Sequence, residues 1–144
     1  MSLLQRIRDA REHGDLRGAI DCIPYAVFLG LTAEIDGAGR LVCTLPPRPG
    51  LVGNPETGAL HGGVVGAFLE TVGGLEVIWR RESESLPRTV NITVDYLRAG
   101  RPVPTRATGI ITKLGRRVAN VRVEAWQERE DKPVAHGHIH LLVG

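Results

Sequence analysis

The glycine-rich apolar segment from His61 to Gly74, HGGVVGAFLETVGG, constrains the fold of this chain more than any other stretch. Apolar residues recur through it at helical spacing, which predicts a long, largely buried helix from about His61 to Arg81. One face of that helix combines the carboxylate of Glu70 with four glycines, Gly63, Gly66, Gly73 and Gly74. A helical glycine costs roughly 0.5–1 kcal/mol relative to alanine, so a face this bare indicates a close approach. Tight packing on a sheet would explain the glycines, but the central Glu70 favours a functional carboxylate.

Length and composition limit the functions open to the chain. Its 144 residues suffice for one core, and we expect a single domain over residues 1–144 with a helical N-terminal segment over 1–20. A net charge of +2 and 4% aromatic residues argue against nucleic-acid binding. No apolar run approaches the roughly 20 residues of a membrane span, and the first 16 residues lack a signal-peptide core. Cys22 and Cys43 form no CxxC pair, which favours a reduced cytoplasmic location.

The remaining patterns predict an antiparallel sheet around the helix. A short first helix ends near Gly14, and a Pro- and Gly-rich loop over 46–59 precedes the long helix. Strands are predicted over residues 25–35, 40–45, 90–96, 106–112, 119–125 and 133–143. One long helix against five or six antiparallel strands is an α+β fold of two layers. The alternation predicts that one face of the sheet covers the helix and that the other is polar.

The long helix also sets a distance limit on any shared chemistry. Its N-terminus suits developing negative charge, because unpaired N–H groups and the helix dipole point outward there, uncovered at Gly62 and Gly63. Glu70 lies nine residues beyond His61, roughly 13 Å along the axis at 1.5 Å per residue, which a glutamate side chain cannot span. Two antiparallel copies could each offer a helix N-terminus to the other's Glu70. If both features are catalytic, we expect a homodimer with two shared sites.

These residues resemble a known family. His61-Gly62-Gly63 with an acid nine residues on resembles the motif of hotdog-fold acyl-CoA thioesterases, nearest to the phenylacetate-degradation branch and the 4-hydroxybenzoyl-CoA thioesterase type that uses glutamate. The segment 93–98 resembles the family's strand after the helix, and 113–119 resembles its next hairpin. The similarity covers residues 51–143. It implies a hotdog fold, a central helix wrapped by the sheet, and hydrolysis of an acyl-CoA to a free acid and CoA.

The resemblance also implies a role for each matching position. Glu70 matches the catalytic acid, a general base or a nucleophile, and the Gly62 N–H matches the group that polarises the thioester carbonyl from the partner subunit. His61 matches the motif histidine, which supports local geometry, although a helix cap is an equal alternative. Asn54 resembles the asparagine near the water, but it lies seven residues before His61 where six is commoner. Thr89 falls where relatives hold the water with Ser or Thr; a solvated strand residue is the alternative.

Coenzyme A enters as part of the substrate, and no separate cofactor is implied. The candidate substrate contacts are Gly63, Phe68, Arg98, Lys113, Arg116 and Arg117. With Arg101, the cations occur near strand ends and turns, which predicts a cluster near one edge that could meet phosphates. Phe68, Leu69, Val72 and the loop 46–59 are predicted to shape the acyl pocket. The acyl group stays open, although Gly74 stands where aryl-type relatives carry threonine, which argues against their substrates.

Several acidic and histidine side chains have structural interpretations. His136, His138 and His140 alternate on one face of the last strand, about 6.5–7 Å apart per step, too far to share one ion without another strand. We therefore expect no metal, and a polar or intersubunit sheet face. Glu76 lies at i+6 from Glu70 and is predicted to form a salt bridge at a rim or interface. The expected partners are an acyl-CoA and a second copy, in a dimer or a tetramer of two dimers.

Two other functions stay open at this point. A hotdog dehydratase or hydratase commonly carries its histidine in a loop well before the helix acid, a pattern not evident here. A non-catalytic acyl-CoA-binding module would keep the arginine contacts without needing Glu70. Hydrolysis of a panel of acyl-CoAs separates these alternatives.

Overall fold

A long apolar helix and six antiparallel strands make up the core of the computed structural model, which describes residues 1–82 and 85–144. The helices are α1 (Leu3–Glu12), α2 (Leu16–Asp21), α3 (Pro24–Leu29) and α4 (Gly62–Arg80), with a 3₁₀ turn at Pro49–Leu51. The strands are β1 (Thr32–Ile35), β2 (Leu41–Leu45), β3 (Val52–Asn54), β4 (Ala59–Leu60), β5 (Arg88–Tyr96), β6 (Thr105–Leu114), β7 (Val118–Trp126) and β8 (Ala135–Leu142). The predicted long helix and the predicted strands after it are confirmed.

The main sheet runs in the order β1-β2-β6-β7-β8-β5, with every neighbouring pair antiparallel. Helix α4 packs on one face of this sheet and contributes Phe68, Leu69 and Val72 to a core in which all three side chains are fully buried. On the other face, polar side chains of β7 and β8 alternate with the buried ones. The α+β hotdog fold that the resemblance implied is therefore confirmed, with six strands.

The prediction of a strand over 25–35 is wrong in its first half, where the chain forms α3. Proline at the first position of α3 presets its φ angle for a helix. Gly30 ends the helix in the left-handed region, with φ 73°, which lets the chain turn into β1. A short apolar run does not distinguish a strand from a buried helix, so the flanking Pro24 and Gly30 were the better signal. The predicted loop over 46–59 also contains the small β3–β4 hairpin.

Two adjacent glycines of α4, Gly73 and Gly74, lie in different surroundings. A Cβ at Gly73 would lie 2.5 Å from Ile139 Cδ1, so this glycine allows close packing on the sheet. A Cβ at Gly74 would meet no atom within 4 Å among the described residues. Sheet packing thus explains Gly73, whereas Gly74 borders open space. By length and composition α4 could cross a membrane, but half of it is buried inside this fold.

Candidate active site

His61 caps the N-terminus of α4. Its Nδ1 accepts a hydrogen bond from the Gly63 N–H at 2.9 Å, so the capping interpretation is confirmed. A Cβ at Gly53 would lie 2.7 Å from the His61 Cα, which fixes the β3–β4 hairpin against this cap. The Gly62 N–H has no hydrogen-bond acceptor within residues 1–82 and 85–144. Gly62 therefore presents a free donor at the positive end of the helix dipole.

Tyr96, which the sequence analysis did not single out, fixes the same turn from the sheet. Its hydroxyl donates to the Gly62 carbonyl at 2.7 Å. Together with Val65 and Arg98 these two residues line a cleft of about 330 Å³. The segment 93–98 that carried the family resemblance includes this tyrosine, which was the available signal.

Glu70 lies in the middle of α4 with its carboxylate exposed, and Thr89 holds it. The Thr89 hydroxyl donates to Glu70 Oε1 at 3.1 Å. A β-bulge at Val90 makes this possible, because Thr89 pairs with Leu141 while Asn91 pairs with His140. Without the extra residue, Thr89 would point away from the helix with Asn91. Bulges beside functional sites commonly redirect a side chain in this way.

An apolar cleft of about 300 Å³ opens beside this Glu70–Thr89 pair. Its wall includes, from several elements, Ile23, Tyr25, Gly74, Ile78, Leu86, Pro87 and Leu141. Among the described residues that line it, Glu70 alone carries a charge. A carboxylate at the mouth of an apolar cleft can act on a polar group whose attached chain enters that cleft.

The single chain does not bring the two halves of the predicted site together. Gly62 lines one cleft and Glu70 lines another, and eight residues of helix separate them by roughly 12 Å. Asn54 belongs to the Gly62 half: it follows Gly53, and its Oδ1 accepts from the Glu56 N–H within a local turn. The site therefore needs a second chain if both halves act on one carbonyl.

Phe68 is not placed to touch a substrate, so its assignment to the acyl pocket is corrected. Its side chain is fully buried in the core, as are those of Leu69 and Val72. The reason is geometric: Phe68 lies two residues before Glu70, about 200° around the helix, and so faces the sheet. The cleft beside Glu70 uses Gly74 and Ile78 instead, at i+4 and i+8.

The predicted cationic cluster is also corrected, because the cations lie at opposite ends of the sheet. Arg98 and Arg101 follow the end of β5 that pairs with Ala135, where Arg98 donates to the Pro133 carbonyl at 2.7 Å and Arg101 pairs with Glu128.

Lys113, Arg116 and Arg117 lie around the β6–β7 turn at the other end. The nine residues of β7 separate the two groups by roughly 30 Å. Arg81, which follows α4, donates to the carbonyls of Gly115 and Arg116 and fixes that turn. Alternation along strands does not reveal which end of a sheet a turn occupies, so the sequence could not separate the groups.

Glu76 lies beneath the sheet rather than at a rim. It is 6% exposed, and its Oε1 accepts from Arg80 at 2.9 Å, so the salt bridge is confirmed but its location is corrected. Its Oε2 has no partner in the part of the chain that the structure describes. Burial raises the pKa of this carboxyl, against the opposing effect of Arg80. Burial likewise raises the pKa of the nearby Cys43 thiol to about 12, so it is not a ready nucleophile.

The three strand histidines form part of a polar outer sheet face. His140 Nδ1 lies 2.6 Å from Asn91 Oδ1, and His136 Nδ1 lies 3.3 Å from Asp95 Oδ2. The rings of His136 and His138 meet edge to face at 6.0 Å. The described residues include no group of three potential metal ligands.

Comparisons with known proteins find related sequences and structures. A sequence model described as the thioesterase superfamily matches residues 57–134, which include His61, Glu70 and Thr89. The medium/long-chain acyl-CoA thioesterase YigI of Escherichia coli K12 is 35% identical over 121 residues, which cover 75% of this chain and 78% of that protein.

Solved structures share the fold. A protein from Chromobacterium violaceum is 38% identical with a TM-score of 0.81, covering 97% of both chains. A phenylacetic acid degradation-related protein from Ralstonia eutropha JMP134 is 26% identical with a TM-score of 0.79, covering 99% of this chain and 100% of that one.

Proposed function

This chain belongs to the thioesterase superfamily, and from that premise we propose that it hydrolyses acyl-CoA thioesters with Glu70 as the reacting carboxylate. The observation that carries the proposal is the exposed Glu70 carboxylate, held by Thr89 at the mouth of an apolar cleft. The relatives named as medium/long-chain acyl-CoA thioesterases support an aliphatic acyl group, and the apolar wall of the cleft fits one. Gly74, in place of the threonine of aryl-type relatives, agrees with this choice.

In the proposed reaction, Glu70 takes a proton from a water molecule as that water attacks the thioester carbon. The carbonyl oxygen gains negative charge, which the Gly62 N–H of the partner subunit stabilises. The C–S bond then breaks, the leaving sulfur takes the proton back from Glu70, and CoA departs as the thiol together with the free acid. A direct attack by Glu70, followed by hydrolysis of the anhydride, uses the same residues. Thr89 orients the Glu70 carboxylate, and His61 caps the turn that presents Gly62, with Asn54 in the adjoining β3–β4 hairpin.

Coenzyme A recognition is part of the same proposal. Arg98 borders the cleft at Gly62, so it can reach a CoA that lies along the N-terminus of α4. Lys113, Arg116 and Arg117 lie at the Glu70 half of the molecule, and in a two-chain site they would meet the same ligand from the other subunit. The proposed assembly is a homodimer or a pair of homodimers, and a cytoplasmic location stays a prediction.

The test is a comparison of Glu70→Gln with the wild-type protein over a panel of acyl-CoAs. The variant keeps the size of the side chain but loses the base, so we expect turnover to fall about 10²–10⁴-fold while acyl-CoA binding persists. Glu12→Gln, an exposed substitution in α1, is the matched control and should hydrolyse at the wild-type rate.

Each alternative function gives a different result in this test. Near-wild-type turnover by Glu70→Gln, with contaminating activity excluded, would contradict the assignment. Acyl-CoA binding without hydrolysis by the wild-type protein would instead identify a binding module. Hydration of an enoyl-CoA without thioester cleavage would identify a hydratase.

A further inference from the structure

The cleft beside Glu70 has a polar end and an apolar end. At the polar end, Thr89 donates to Glu70, and the Thr71 hydroxyl is turned back to the Ala67 carbonyl at 2.7 Å. The wall beyond this end continues along α4 through Gly74 and Ile78, one and two turns past Glu70. A ligand with a reacting head and an apolar tail matches this order.

Gly74 is the residue of α4 that adds no side chain to this wall. A Cβ there would meet no described atom within 4 Å, in contrast to Gly73, whose Cβ would meet Ile139. A side chain that starts at position 74 would therefore extend from the cleft wall rather than from the core. Packing against the sheet does not account for this glycine.

Ile78 lines the part of the cleft two helical turns past Glu70. It is 8% exposed and packs with Ile7 of α1 and with Cys22, while Ile23 and Leu86 cover the same cluster. Ile78, Leu86 and Pro87 also line a second pocket of about 20 Å³, room for about one water molecule. The N-terminal helices thus support Ile78 from behind.

We propose that the acyl chain of the substrate lies along α4 from Glu70 past Gly74 to Ile78, with Gly74 setting the width and Ile78 the length of the pocket. The inference rests on the proposed function, since it takes the thioester carbonyl to lie at Glu70. Eight residues of helix span roughly 12 Å. An extended chain advances about 1.2 Å per bond, so about ten bonds fit before the wall. The pocket therefore selects medium-length acyl chains.

The test compares Gly74→Leu and Ile78→Ala with the wild type on butanoyl-, octanoyl-, dodecanoyl- and hexadecanoyl-CoA. Each buried methylene contributes roughly fourfold to binding, and a leucine at position 74 displaces several of them. We expect Gly74→Leu to lower the octanoyl-to-butanoyl ratio of kcat/KM at least tenfold. Ile78→Ala opens the end wall and should raise the hexadecanoyl-to-octanoyl ratio. Gly37→Leu, in the exposed β1–β2 turn, is the control for an added leucine and should shift neither ratio.

Dissociation constants for the same four acyl-CoAs, measured by calorimetry in a Glu70→Gln background, test the acyl pocket separately from the proposed thioesterase function. If Gly74→Leu shifts the chain-length preference for binding but the parent protein hydrolyses no acyl-CoA, the acyl pocket is supported and the thioesterase function is rejected. The helix of the Gly74→Leu protein should tolerate leucine. If this variant hydrolyses acyl-CoAs with unchanged chain-length ratios of kcat/KM, the thioesterase function is supported and the proposed acyl pocket is contradicted. Altered self-association with unchanged ratios would likewise overturn it, because a second chain would then fill the cleft.

Discussion

At the scale of single residues, the adjacent Gly73 and Gly74 offer a matched pair. Alanine at position 74 gains helix propensity of roughly 0.5–1 kcal/mol and meets no atom, so Gly74→Ala should raise the free energy of unfolding. Alanine at position 73 gains the same propensity but forces Ile139 to shift inside a full core, which typically costs about 1–3 kcal/mol. Gly73→Ala should therefore be the less stable of the two in urea denaturation. Equal stabilities would contradict the close packing of Gly73 on β8.

Thr89 shows what the sequence could not reveal at this scale. The resemblance places it where relatives hold the water with Ser or Thr, a role that stays a prediction, whereas strict alternation along β5 would put it with Asn91 on the outer face. The bulge at Val90 reverses its direction, and the sequence around it carries no glycine that would mark a bulge. For Phe68, by contrast, the sequence held the signal: the helical period of α4 puts it opposite Glu70, although the sequence analysis assigned it to the acyl pocket.

At the scale of elements, Glu76 gives α4 a pH-dependent contribution to stability. Burial raises the pKa of this carboxyl above its ordinary value of 4.5, so the folded chain binds the proton more tightly than the unfolded chain. As pH rises from about 4.5 through the folded-state pKa, the free energy of unfolding falls, because a charged carboxylate must stay buried. Glu76→Gln removes this titration, so its Tm relative to the wild type should become more favourable toward neutral pH. Thermal melts across that range, with Glu12→Gln as control, check it; a constant difference would contradict the argument.

The type of an element was predictable wherever the element was long enough to show several repeats of its hydrophobic pattern. Nineteen residues of α4 and the nine- and ten-residue strands after it each display several repeats of their pattern. Helix α3 has six residues, less than two turns, so its ends at Pro24 and Gly30 carried more information than its apolar content. The type of a short element depends on its capping residues and on its packing neighbours, and hydrophobic periodicity does not include either.

At the scale of the whole molecule, the sequence predicted the separation of the two proposed catalytic features but not the distribution of charge. The distance between Gly62 and Glu70 follows from helix geometry alone, and the two separate clefts agree with it. The split of the cations between opposite ends depends on sheet topology, which no local pattern specifies. A second antiparallel chain would bring the Arg98 end of one copy to the Arg116 end of the other.

The proposed two-chain site has a consequence that a one-chain site lacks. Mix a Glu70→Gln chain with a chain that carries Gly62→Pro, which removes the donating N–H. In the heterodimer, one site has both lesions and the other has neither, so two inactive proteins should recover about half of the wild-type turnover per heterodimer. Proline fits at this first helical position, because His61 before it is extended at φ −61° and ψ 132° and the Gly62 N–H bonds no described group. Circular dichroism and sizing verify folding and mixing; folded heterodimers that stay inactive would show that each chain acts alone.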